Sequence, residues 1–190
     1  TYAIMKSYTK PYASCRYTHP SVEAAIHLRD IVKVEDVEEI NIKTYELAVS
    51  GHDHREIPGS YSAKMSIPYA TAVAFLYGKA GLQEFSEEAV KRKEVLKLAG
   101  KVNVKADEKL SAAFPGIQAA IVTIRTKDGE FTDRVDYPKG EPENPLTDSE
   151  FKTRYDGLME YAGIDSVVSE IVFNTVSQNG ALVKTLMEKL

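Results

Sequence analysis

Hydrophobic and polar positions repeat along the chain with two different periods, and the period separates strands from helices. Across residues 37–45, Ile40 and Ile42 take turns with Asn41 and Lys43, the rhythm of a half-buried strand. Residues 119–125 and 130–135, joined through Asp128-Gly129, predict a β-hairpin, and 102–106 a further short strand. Residues 2–8, where tyrosines and apolar residues interleave with Lys6 and Ser7, predict one more.

The helical stretches carry their own start and stop signals. His19-Pro20-Ser21 opens a helix to about residue 33, with Pro20 in the first turn, where a missing N–H costs nothing. Its core face is Val22, Ala25, Leu28 and Val32; Glu23, His27 and Asp30 fall on the other side. Residues 68–77 are almost wholly apolar and stop at Gly78, which predicts a central buried helix. Ser86 caps a helix reaching residues 99–100, with Glu87 and Glu88 favourably placed in its first turn. Thr147-x-x-Glu150 is a capping box before a helix to residue 161 that Gly163 ends. Asp165 or Ser166 starts another, and Gly180 separates it from a last short helix. Residues 51–60 and the proline-rich 137–145 are loops. With no repeat and no linker, 1–190 reads as one α+β domain, a small, mostly antiparallel sheet covered by several helices.

Composition narrows the function. With 24 Lys+Arg against 28 Asp+Glu, the net charge of -4 argues against binding nucleic acid or a membrane surface by bulk charge. The longest apolar run, 67–77, is too short to span a bilayer. A single cysteine excludes a disulfide framework and suits a reducing, cytoplasmic setting. The chain opens on Thr1 and reads at once like the interior of an element, so a piece of a longer protein is expected.

The charges are unevenly spread. Residues 1–22 hold Lys6, Lys10, Arg16 and His19 with no acid, and residues 57–83 hold Lys64 and Lys79, again with none. An anion bound where the two stretches meet is one reading; chance spacing of solvated lysines is the other. Tyr69 follows Pro68 in the first turn of the buried helix. There its hydroxyl either donates to a ligand beside free backbone N–H groups or is satisfied at the edge of the core. His19, at a helix start, is expected to be neutral at pH 7 and able to act as base or donor, or else to serve as a cap. Cys15 stands beside Arg16, which favours a thiolate, and a pairing with His19 is conceivable; a small packing residue is the plainer reading. His52-Asp53-His54 has the look of a metal fragment but lacks a third or fourth ligand at a recognisable spacing, so no metal is assigned. Nucleotide-binding, hydrolase and zinc-ribbon signatures are absent, and no cofactor is expected.

Three strings stand out. Lys10-Pro-Tyr-Ala-Ser-Cys-Arg-Tyr-Thr-His-Pro20 resembles the K-P-Y-P-x-C-R-x-x-H-P segment that opens the C-terminal domain of the MmgE/PrpD family. Ala63-Lys-Met-Ser-Ile-Pro-Tyr69 resembles its A-K-F-S-L-P-Y motif. Residues 134–146, RVDYPKGEPENPL, resemble its R-V-D-Y-P-x-G-x-P-x-N-P-L loop. The three occur in the family's order.

The resemblance implies the smaller, α+β domain of a two-domain protein. In such proteins an N-terminal all-helical domain completes the site and carries most of the dimer contact. The family includes 2-methylcitrate dehydratase, cis-aconitate decarboxylase and iminodisuccinate epimerase. The resemblance therefore implies a small polycarboxylate substrate, a homodimer as the full protein, and an inactive fragment without the helical domain. It places Lys10, His19 and Tyr69 at the cleft as catalytic candidates, with Arg16, Lys64 and Cys15 as substrate contacts. Ala13 replaces the usual proline. Cys15 stands where the decarboxylase branch carries a histidine, which turns the expectation from decarboxylation to a 2-methylcitrate dehydratase-like lyase. An epimerase of the family or a non-catalytic polycarboxylate-binding domain are the alternatives.

Overall fold

The computed structural model describes residues 2–177 and 183–187, and the chain divides into two compact units, 1–146 and 147–190. The first unit holds the sheet. Its strands are β1 (Glu39–Thr44), β2 (Val102–Ala106), β3 (Ala120–Thr126) and β4 (Gly129–Val135), in the order β2-β1-β3-β4. β3 pairs antiparallel with both β1 and β4, while β1 and β2 are parallel, with Ile40 opposite Val102. The sheet is therefore mixed rather than purely antiparallel. The parallel pair has a physical cause: a long helical crossover carries the chain from β1 back to β2 in the same direction.

Alternation along β1 and β3 buries Ile40, Ile42, Val122 and Ile124 on one face. Against that face pack α1 (His19–Arg29) and the crossover elements α2 (Glu46–Val49), α3 (Ser60–Met65), α4 (Ile67–Tyr77) and α5 (Lys93–Ala99). A short α6 (Glu108–Ala113) follows β2 and is capped by Asp107, whose carboxylate accepts from Lys109 N and Leu110 N. α4 is buried from Ile67 to Phe75. Ser66 caps its start by accepting from Tyr69 N, and Gly78, at φ 69°, closes its end. In the second unit, α7 (Asp148–Tyr161) begins in a complete Thr147–Glu150 capping box, and Asp165 caps α8 (Ser166–Val176). A short α9 (Val183–Met187) follows, and the predicted break at Gly180 lies outside the described residues.

Several expectations are corrected. Residues 2–8 form no strand; Ala3–Lys6 is an exposed 3-10 turn to which no described strand bonds. α1 stops at Arg29, although Val32 still reaches the core. The helix after Ser86 is broken: Ser86 Oγ accepts from Ala89 N at 3.2 Å, a 3-10 turn follows, and extended Arg92 precedes α5. Glu23 is not on a solvent face. It is buried, taking Lys139 N at 2.6 Å and Asn144 Nδ2 at 3.4 Å, because the 137–145 loop folds over α1 and needs an acceptor there.

That loop also presses on the opening segment. Gly140 has φ 90°, its carbonyl accepts from Thr9 N at 2.8 Å, and a Cβ there would overlap the Thr9 carbonyl oxygen. Gly51 has a similar φ of 79° but open space around it. Gly51→Ala is expected to cost about 1 kcal/mol of stability through backbone strain alone. Gly140→Ala should cost about 3 kcal/mol, because the loop must also lift from Thr9. Chemical denaturation of the two variants checks this; equal losses would show that the loop does not depend on that contact.

Candidate functional site

The segment from Thr9 to Thr18 has little regular structure, and long-range backbone bonds fix it instead. Thr9 N donates to Gly140 O, Ala13 N to Ala80 O and Cys15 N to Lys64 O, at 2.8, 2.9 and 2.8 Å. These bonds bring the first motif against the loop of the third and the helix that carries the second. At the centre is Arg16, whose side chain is 11% exposed. Its Nε and Nη2 both donate to Glu141 Oε1 at 2.5 Å, and its guanidinium carbon lies 5.7 Å from the centre of the Tyr8 ring. Its Nη1 is buried with no partner.

Arg16 borders a cavity of about 370 Å³ also lined by Lys6, Gln118, Tyr137 and Glu141. Tyr45, fully buried and stacked on Phe114, donates its hydroxyl to Gln118 Oε1 at 3.3 Å. That bond fixes the amide and leaves its NH2 group to donate. Burial pushes the Tyr45 and Tyr8 hydroxyls up from their ordinary values, against the pull of Arg16, so both stay protonated donors. A guanidinium, an amide and an ammonium around one cavity can donate to a carboxylate, beside the Glu141 and Glu143 carboxylates that line it too.

Lys10 Nζ donates to Ser14 O at 3.2 Å. His19 is 1% exposed and sits at right angles to the Tyr12 ring, 5.2 Å away. Its Nε2 is 3.3 Å from Ser14 O. A carbonyl only accepts, so Nε2 carries the proton and Nδ1, which has no partner, presents its lone pair. Burial first, then the charges of Arg16 and Lys10, lower the His19 pKa to about 3. The neutral imidazole expected from the helix start is therefore present, chiefly for a different reason.

Tyr69 stands apart from this group. It is fully buried, donates its hydroxyl to Glu84 O at 2.9 Å and tilts against Phe85; burial pushes its pKa up to about 12. Lys64 meets the opening segment through its backbone carbonyl. Cys15 pairs not with His19 but with His52, its Sγ 3.7 Å from Nε2. His52 Nδ1 donates to Ser50 O at 2.9 Å, whereas His54 turns its Nε2 to Ser62. The two imidazoles of the His-Asp-His string thus have separate tasks. Glu141 and Gln118 are the site residues that sequence reasoning missed, and it marks His52 only as part of a metal-like string and not as the partner of Cys15. A signal for the first existed: an acid-free segment that contains an arginine must draw its carboxylate from elsewhere.

Fold and site together define a small α+β domain with a cavity of mixed charge where the first and third motifs meet. The family model of the MmgE/PrpD C-terminal domain matches residues 12–176, and the chain belongs to that family. No curated relative matches it. Among the described residues no helix is long and apolar enough to cross a membrane.

The buried histidine makes stability depend on pH. Between about 3 and its ordinary 6.5, unfolded His19 binds a proton that the folded residue refuses. Its contribution is whole above about pH 6.5 and drains as the pH falls, by at most about 1.4 kcal/mol per unit. Denaturation at pH 5 and pH 7 should show a shallower pH dependence in His19→Gln. An unchanged slope would mean that folded His19 takes the proton.

Proposed function

We propose that the chain is the smaller domain of a hydro-lyase of the 2-methylcitrate dehydratase type, acting on a small polycarboxylate without a metal or nucleotide. The observation that carries this is the buried Arg16 guanidinium, which has one unpartnered N–H and belongs to a side chain lining a cavity with Lys6 and Gln118. A substrate with two or three carboxylates is a match for that donor set. Removal of a proton beside a carboxylate builds enolate-like charge, and fixed cationic donors stabilise it as it forms. Loss of the hydroxyl on the adjacent carbon then gives an unsaturated acid. In this reading Arg16, Lys10 and Lys64 provide the cationic environment, and Cys15 lies against the substrate. His19 offers a neutral imidazole to hydrogen-bond the substrate, and Tyr69 offers a proton once its bond to Glu84 is exchanged. The helical domain of the family completes the cleft, and the full protein works as a homodimer in the cytoplasm.

The test is an ultraviolet assay for the unsaturated acid, using 2-methylcitrate and citrate. It compares the 190-residue chain with the gene product that contains it. Activity only in the longer protein is expected, with Lys10→Ala, His19→Ala and Tyr69→Phe there each lowering turnover by about 100-fold while leaving it folded. Full turnover in all three variants would remove the catalytic assignment. Exchange of the α-proton with solvent but no unsaturated product would replace the lyase by an epimerase.

A further inference from the structure

Cys15 and His52 form the one constellation at this site that the dehydration reading leaves without a chemical step. The imidazole is oriented as a base requires. Its Nδ1–H is committed to Ser50 O, so Nε2 carries the lone pair, and that atom faces Cys15 Sγ at 3.7 Å. Tyr17 holds the ring edge-on, 5.2 Å between centres, and His52 O accepts from Ile67 N at 2.8 Å, so ring and backbone are both fixed. Cys15 is only partly buried, and Lys64 O anchors its backbone.

A second, independent observation points to a ligand at the same place. Among the described residues, the buried side-chain polar atoms without a partner are Arg16 Nη1 and His19 Nδ1, both within four positions of Cys15. A buried polar atom left unpaired costs about 1–3 kcal/mol, and two of them in one short segment suit a place where a polar ligand completes the set.

We infer that Cys15 and His52 are a thiol–imidazole pair that makes Cys15 a nucleophile toward small carbon electrophiles bearing a carboxylate, with Arg16 Nη1 receiving that carboxylate. His52 Nε2 takes the thiol proton as Sγ bonds to carbon. With an α,β-unsaturated acid, the double-bond pair moves onto the α-carbon as an enolate, the imidazolium returns its proton there, and no group leaves. Only the naming of such acids as natural electrophiles rests on the proposed dehydration, whose product belongs to that class. A reversible adduct would hold the product on the enzyme that forms it.

The matched probes are iodoacetate and iodoacetamide, which differ in charge and share one reaction. The sulfur–carbon bond forms, iodide leaves with its electron pair, and the thiol proton passes to His52. Because the chain has a single cysteine, loss of its one free thiol, with the adduct located by peptide mass, reports on Cys15 alone. At pH 7 iodoacetamide should modify the native chain faster than the guanidinium-unfolded chain, despite the partial burial of the thiol. Iodoacetate should be faster still. His52→Gln should slow both by about tenfold or more. Replacing Arg16 and Glu141 together by Gln, which leaves no bare carboxylate, should bring the ratio of the iodoacetate rate to the iodoacetamide rate down to that of the unfolded chain. A native rate no higher than the unfolded one would overturn the pair, whether or not the His52 variant folds. Iodoacetate no faster than iodoacetamide would overturn the role of Arg16. Neither result bears on the dehydration assay.

Discussion

Two carboxylates face each other across one seam, and the placing of the opening segment depends on them. Glu23 reaches up from α1 to hold the 137–145 loop through Lys139 N and Asn144 Nδ2, and Glu141 reaches out of that loop to hold Arg16. Neither anchor is local; the Arg16–Glu141 pair joins residues 125 positions apart. Between them Gly140 lies so close to Thr9 that a side chain there has no space. The loop is thus less a connection than a clamp. It presses an irregular segment, which has few backbone bonds of its own, into a defined path across the helical layer.

The clamp also sets the electrostatics. A guanidinium 11% exposed is tolerated because Glu141 compensates it and the Tyr8 ring covers it. Its charge then helps to keep His19 neutral, and burial of the surrounding tyrosines keeps their hydroxyls as donors. Burial contributes more than charge at each of these groups, so the site is shaped first by packing. The apolar α4 and sheet make the low-dielectric floor, and the polar motifs are laid over it.

What the sequence disclosed follows the range of the interactions involved. The β3–β4 hairpin, the apolar α4 with its Gly78 stop and the Thr147 capping box are decided within a few residues, and all three stand as read. The parallel pairing of β1 and β2 is decided by a crossover of nearly sixty residues, and no local period records it. α2, α3 and α6 are too short to show a helical period. Glu23 was misplaced for a related reason: its flank of the helix is buried by a loop more than a hundred residues away. At the site, residue types were legible and pairings were not. Cys15 was visible as a thiol beside a cation, but its histidine came from position 52 rather than 19, because only the fold decides which imidazole it meets.

The buried polar atoms show where this domain departs from self-sufficiency. Tyr69 is deep in the core and its hydroxyl is satisfied by Glu84; Thr71 and Ser21 satisfy one another, and Ser21 reaches Thr18. Packing of this kind is the ordinary economy of a core, in which each donor has an acceptor. Among the described residues, Arg16 Nη1 and His19 Nδ1 break it, and both belong to the segment that the loop clamps or the helix start next to it. A protein selected only for stability would fill those positions with apolar side chains or supply the missing partners. Their retention within four residues, one a donor and one an acceptor, is what a site looks like when the molecule completing it carries both kinds of group.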